Sequence, residues 1–222
     1  MKTISKNPLA ASDLCIFRFM NGELYIYLVK LKYSFFKGLW ALPGGLVKEK
    51  EDLDTTCKRI YKEATGRENA YFEQLHTFSD PKRDPRTRSI STSYIALPQG
   101  QTVSFSPCTK YETGEWKKVK EIKTLAYDHI KIINNALENI AAKLNYSTIA
   151  LAMLPKKFTL KDLQDLYEYC LKIKIDKRNF RKKILSLNIV KESGEILTGL
   201  KARPAMLFTP KEPGIKSIPM FN

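Results

Sequence analysis

Five bases and an amide stand together, with no acid among them, in the stretch Lys177-Arg178-Asn179-Phe180-Arg181-Lys182-Lys183-Ile184. At about 100° per residue on a helix, Phe180, Ile184 and Leu187 fall on one side, so Lys177, Arg178, Arg181 and Lys182 project largely away from it. A helix with one apolar and one densely cationic face suits the DNA major groove. Its lysines, Lys183 included, would contact phosphates, while Arg178, Arg181 or Asn179 would read base edges, Arg bidentate to guanine and Asn bidentate to adenine. Further on, Lys201 and Arg203 could reach backbone or minor groove. The plainer reading is a solvated face of a Lys-rich chain. A second cationic group, Arg83, Arg86 and Arg88 around Asp84, could meet a phosphate or sugar hydroxyls, with Trp40, Phe35 or Phe36 stacking on a base; a solvated loop and core aromatics explain these residues equally well. Arg59 and Glu63, four apart, can form an intrahelical ion pair.

These groups sit in a chain of 222 residues and 25.5 kDa, 43% apolar and 11% aromatic, long enough for one large or two modest domains with a real core. Its net charge of +15 favours polyanionic partners. The charge is uneven: residues 151–222 hold 15 Lys/Arg against 7 Asp/Glu, residues 1–150 hold 23 against 16. No apolar run approaches the roughly 20 residues of a membrane span, and residues 1–14 lack a secretory apolar core, so a cytoplasmic protein without membrane contact is expected. Cys15, Cys57, Cys108 and Cys170 are scattered, with only His76 and His129 as nitrogen partners, which argues against a disulfide framework or a zinc site. No metal and no cofactor is expected, and packing or capping suits the two histidines better than catalysis.

The elements that must position these residues follow from periodicity and punctuation. Asn21-Gly22 between the apolar-rich runs 14–19 and 24–29 signals a hairpin. Residues 39–47, with Pro43-Gly44-Gly45, suggest a short strand breaking into a tight loop. Leu53, Cys57, Ile60, Tyr61 and Ala64 recur at helical steps ahead of Gly66, a helix-closing glycine. Strand-like runs return at 71–78, 89–97 and 115–119, and Asp128 precedes a helical stripe ending near Asn145. Beyond Pro155, Thr159 with Asp162 resembles a helix-opening cap, Asp176 caps a second helix, and the runs 188–191 and 205–208 flank a loop holding Gly194, Gly199, Lys201, Arg203 and Pro204. Helix, turn, helix and basic two-stranded ribbon is the order of a winged helix. Residues 209–222, with three prolines, are expected to be extended or mobile.

Gly45, Glu51, Arg59, Glu63 and Gly66 stand at the spacing Gly-x5-Glu-x7-Arg-x3-Glu-x2-Gly, led in by Leu42-Pro43-Gly44. This resembles the Nudix box. The resemblance implies an α/β sandwich of the α+β kind with a mixed sheet and the box on a loop and helix. In Nudix hydrolases a Glu after the Arg and a Glu-Glu pair help hold Mg²⁺ on the substrate diphosphate. Here those positions are Ile60, Glu63 and Ala64. Positions 60 and 64 share one helix face, and both carboxylates are gone, so weak metal binding and little hydrolysis are expected.

The full arrangement resembles the Nudix-related transcriptional regulators of bacteria, a group that includes regulators of NAD metabolism and arabinose-responsive regulators. Leu154-Pro155, Phe158-Thr159-Leu160, Leu163-Gln164 and Asp176-Lys177-Arg178-Asn179-Phe180-Arg181 carry it. It implies a Nudix-like sensing domain over 1–145, a small winged helix-turn-helix domain over 146–212 and a tail over 213–222. It also implies a small-molecule effector (ADP-ribose, a related nucleotide or a sugar), a double-stranded DNA operator and a homodimer acting as a repressor. Two other readings stay open: a Mg²⁺-dependent pyrophosphohydrolase of ADP-ribose-like substrates with an accessory basic domain, and an RNA-binding module.

Overall fold

The computed structural model describes residues 7–33, 35–99, 103–199 and 202–218. The chain divides into two compact units. One holds the residues up to Phe17 together with Tyr25–Leu137; the other holds Arg18–Leu24 and the residues from Glu138 onward.

The first unit is built on a mixed sheet. Strand β1 (Leu9–Met20) turns through Asn21 (φ 52°) and Gly22 (φ 75°) into β2 (Glu23–Leu31), two successive left-handed residues that match the twist of a tight hairpin. β3 (Trp40–Ala41) and β4 (Gly44–Leu46) follow, then helix α1 (Leu53–Thr65), β5 (Ala70–Phe78), β6 (Ser89–Pro98) and β7 (Tyr111–Lys118). The strands run β3-β2-β1-β6-β5, with β4 on β1 and β7 on β2. β1 and β6 are parallel, whereas β4, β5 and β7 pair antiparallel.

α1 forms where expected. Asp52 accepts from Thr55 N at 2.7 Å to cap its start, worth about 1 kcal/mol, and Gly66 closes it at φ 67°. Its apolar face, Cys57, Ile60, Tyr61 and Ala64, packs into one core cluster with Leu14 and Ile16 of β1 and Tyr27 and Val29 of β2. Cys15 and Phe17, alternating with these along β1, are equally buried, so both faces of the strand are covered. α2 (His129–Leu144) carries Ile132, Ile133 and Ala136 inward and, like β1 and β2, contributes residues to both units.

In the second unit come α3 (Ile149–Met153), α4 (Leu160–Leu171), α5 (Lys177–Ser186), β8 (Val190–Gly199) and β9 (Ala202–Pro210). The Thr159–Asp162 capping box is complete, with reciprocal bonds of 3.1 and 2.8 Å. Phe158 and Phe208 exchange backbone hydrogen bonds of 3.1 and 2.8 Å, fastening the β8–β9 ribbon beside the start of α4. Phe19, in the hairpin tip that belongs to this unit, meets the Tyr169 ring edge-on at 6.1 Å.

One expectation needs correction, and two features carry no signal in the sequence. The ribbon strands are longer than the runs 188–191 and 205–208, and Gly194 (φ 78°) sits inside β8 at an irregularity rather than in a loop. Helix α3 was not expected, because five residues are too few to show a period. The tail, described as far as residue 218, is tied back to the chain around residue 147: Thr148 N donates to Lys216 O (2.9 Å), Ile218 N to Tyr146 O (2.7 Å) and Lys216 N to Thr148 Oγ1 (2.8 Å). A bridge between residues 70 apart leaves no local pattern.

Gly114 faces Val29 across the β2–β7 pair, and a methyl group built on it would lie 2.2 Å from the hydroxyl oxygen of the buried Tyr27. Gly114→Ala is expected to lower the unfolding free energy by about 1–3 kcal/mol, read from urea denaturation, because Tyr27 has no free space to retreat into.

Candidate effector cavity and nucleic-acid interface

A cavity of about 820 Å³ opens in the first unit, lined by residues of β1, the Nudix-like loop, α1, the loop before β6, and the segments that lead into β7 and α2. Its scaffold is a chain of ion pairs. Arg83, with its side chain 5% exposed, donates through Nη2 to Asp13 (3.1 Å) and through Nη2 and Nε to Asp128 (2.8 and 3.1 Å). Asp13 also accepts from Ser91 Oγ at 2.7 Å. His129 accepts the Leu42 N–H on Nδ1 (2.9 Å), which leaves its ring proton on Nε2, 3.5 Å from Asp13 Oδ1. Burial alone would raise the Asp13 carboxyl, but His129, Arg83 and Ser91 outweigh it and hold it down at about 2. A methyl group on Gly44 would lie 2.2 Å from Asp13 Oδ1, so glycine there lets β4 close onto the carboxylate.

The box residues form a second knot. Glu51 receives Arg59 Nε and Nη2, both at 2.7 Å, and Thr56 Oγ1 at 3.0 Å; the fork of Arg59 bonds holds its carboxyl at about 2. Arg59 also reaches Leu46 O (2.9 Å) and Glu63 Oε1 (3.2 Å), and Lys110 Nζ holds the other oxygen of Glu63 at 2.8 Å. Ile60 and Ala64, at the positions of the missing carboxylates, are fully buried in the core cluster. The residues therefore do not fit a Nudix magnesium site: two ligands are hydrocarbon, and the remaining acids are committed to cations. Among the described residues, no group of three His, Cys, Asp or Glu side chains is arranged to hold a metal ion.

Of the effector candidates, Arg83 and Arg86 line the cavity. Arg83 is a structural member of the buried network, whereas Arg86 is more open, bonded to Asp84 at 2.7 and 2.9 Å with its guanidinium 5.2 Å from the centre of the Tyr127 ring. Trp40 is not among the lining residues; Lys117 Nζ rests 4.3 Å above its ring. Arg88 is also outside the lining and spends Nη1 on the carbonyls of Ser79 and Ser89. Phe36 packs on Tyr127 at 4.4 Å, while Phe35 is exposed. Sequence reasoning missed Asp13, Lys48, Lys110 and Tyr127 as lining residues. Nothing in local spacing marks them, because chain reversals bring them together.

In the second unit, Asp176 caps α5 by accepting from Asn179 N at 2.8 Å. Phe180 and Ile184 are buried, the former 5.5 Å from the Tyr167 ring, so Lys177, Arg178, Asn179, Arg181 and Lys182 all face solvent and Lys183 is half-buried. None of the five cations is ion-paired among the described residues, in contrast to the cations of the cavity. Glu168 fixes the turn ahead of this helix: it accepts from Ile175 N (3.0 Å), Gln164 Nε2 (2.9 Å) and Lys174 Nζ (2.9 Å). Lys201 lies outside the described residues, and Arg203 belongs to β9 with its side chain likewise undescribed.

Comparison with known proteins bears on both units. The NUDIX domain model matches residues 8–136, and the model of the NrtR DNA-binding winged helix domain matches residues 150–209. The ADPR responsive transcriptional repressor NtrR of Acinetobacter baylyi is 31% identical over 210 residues, which cover 91% of this chain and 82% of that protein. The chain belongs to the NrtR family. A crystal structure of Shewanella oneidensis NrtR complexed with a 27mer DNA matches at 30% identity and TM-score 0.77, covering 91% of this chain and 93% of that one. The NUDIX domain of the same Shewanella protein, complexed with ADP ribose, matches at 31% identity and TM-score 0.56 over 61% and 90%. The fold is thus a Nudix α/β fold with a mixed sheet, followed by a winged helix.

Replacing Arg83 with methionine leaves Asp13 and Asp128 buried without their cation, and Arg83→Met is expected to cost about 3–5 kcal/mol in urea denaturation. Asp13 titrates below its ordinary 3.8 when folded. Its contribution is therefore complete above about pH 4 and is lost as the pH falls toward 2, so the urea midpoint of the wild type should drop across that interval.

Proposed function

We propose that this protein is a DNA-binding transcriptional repressor whose Nudix unit binds ADP-ribose and thereby releases the operator. The observation that carries this reading is the fate of the box: Arg59, held by Glu51 and Glu63, still lines the cavity, while Ile60 and Ala64 are sealed into the core. A cavity of about 820 Å³ with five cationic side chains in its lining survives where the metal site of a hydrolase does not.

Its relatives of the same architecture include an ADP-ribose-responsive repressor and a protein crystallised on DNA, and α5 presents cations that are unpaired among the described residues and suited to the same partner. The assembly we propose is a cytoplasmic homodimer, because two recognition helices reading half-sites about 34 Å apart respond together to a small change in dimer geometry. ADP-ribose would favour the geometry that does not fit the operator, and its differential affinity sets how far DNA binding falls.

The test is a mobility-shift titration with duplex DNA from the promoter regions of NAD-metabolic genes. ADP-ribose is expected to weaken binding by about 10-fold or more, within the usual range of allosteric coupling. Arg181→Ala and Arg178→Ala should each weaken operator binding by about 10-fold or more without lowering the melting temperature. With Mg²⁺ present, ADP-ribose should be recovered intact. Rapid release of AMP, or equal affinity for single-stranded RNA and every duplex, would sink the reading.

A further inference from the structure

A diphosphate bound away from bulk water needs compensating positive charge. The cavity has five cationic side chains in its lining, Lys48, Arg59, Arg83, Arg86 and Lys110, but they are not equally able to supply it. Arg83 is buried between Asp13 and Asp128. Arg59 has all three nitrogens engaged, by Glu51, Glu63 and Leu46 O. Arg86 is forked onto Asp84.

Lys110 differs from these three. It stands just before β7, its side chain is 44% exposed, and one of its three N–H donors is held by Glu63 Oε2 at 2.8 Å. The ammonium lies over the box loop: a methyl group built on Gly45 would come within 3.4 Å of Nζ. Glu63 is the one surviving acid of the box pair, so a fixed cation rests on the carboxylate that in the hydrolases helps hold a metal.

We propose that the Lys110 ammonium, seated on Glu63 beside Gly45, takes over the charge-neutralising part of the missing divalent cation, and that effector recognition is therefore independent of metal. This rests on the reading of the cavity as an ADP-ribose site. A lysine can neutralise and hydrogen-bond a diphosphate oxygen, but it does not lower the pKa of a bound water as a metal ion does. The substitution keeps the attraction for the ligand and drops the means of cleaving it.

The experiment is calorimetric titration of the full chain with ADP-ribose and, separately, adenosine, in excess EDTA and in millimolar Mg²⁺. Wild-type affinity for ADP-ribose should be the same in both buffers. Lys110→Met should weaken ADP-ribose by about 10-fold or more, the loss of one charge-assisted bond to an anion, with adenosine unchanged. Lys110→Arg, which keeps the charge, should recover most of the loss. A melting curve of the unliganded Lys110→Met protein controls for folding, and Glu63 retains Arg59 as a partner there. Wild-type binding that disappears in EDTA, or Lys110→Met binding as tight as wild type, overturns the role of Lys110 and leaves the effector assignment standing. No ADP-ribose binding by the wild type in either buffer overturns both.

Discussion

One buried guanidinium holds the first unit's cavity in shape. Arg83 ties Asp13 of β1 to Asp128 at the entrance of α2, and its own loop is thereby drawn in beside β6. The desolvation of three charges is offset by the pairing itself and by further polar partners, Ser91 and His129 beside Asp13 and Ser89 on Arg83. His129 then passes the restraint to the chain at Leu42, two residues before the glycine that admits the Asp13 carboxylate. A strand, a loop and a helix far apart in sequence are fixed against one another by a network that tolerates little rearrangement. A site that must distinguish one ligand needs that rigidity.

The two units use positive charge in opposite ways. In the first, the arginines that line the cavity, Arg59, Arg83 and Arg86, are matched by acids within hydrogen-bond reach, so the cavity is ordered before any ligand arrives. In the second, Asp176 fixes the start of α5 and Glu168 the turn before it, and the outward cations of α5 have no acid partner among the described residues. Unmatched surface lysines and arginines repel one another at a modest cost in stability, and they are ready to exchange small counterions for a polyanion.

Much of this was legible in the sequence wherever the signal is local. Asn21-Gly22, the Thr159–Asp162 box, the Gly66 closure and the period of α1 each depend on residues within a turn or two, and each forms as expected. The spacing from Gly45 to Gly66 likewise identified the box and its two missing carboxylates. What could not be read depends on long-range assembly: the partners of Arg83 lie 70 and 45 residues away, Lys110 meets Glu63 across 47, and the chain end bridges back over 70. Trp40 and Arg88 had suitable chemistry for a ligand, yet the sheet places one beneath Lys117 and the loop spends the other on its own carbonyls. Composition names candidate groups, and only topology decides which of them meet.

The packing of Ile60 and Ala64 also has an evolutionary consequence. Restoring either glutamate alone would bury an unpaired carboxylate among Leu14, Tyr27 and their neighbours, at a cost that a marginally stable domain can scarcely absorb. Both would have to return together, along with an ion to neutralise them. The two apolar side chains thus act as a ratchet: a single step back toward the carboxylate pair lowers stability without restoring a metal site.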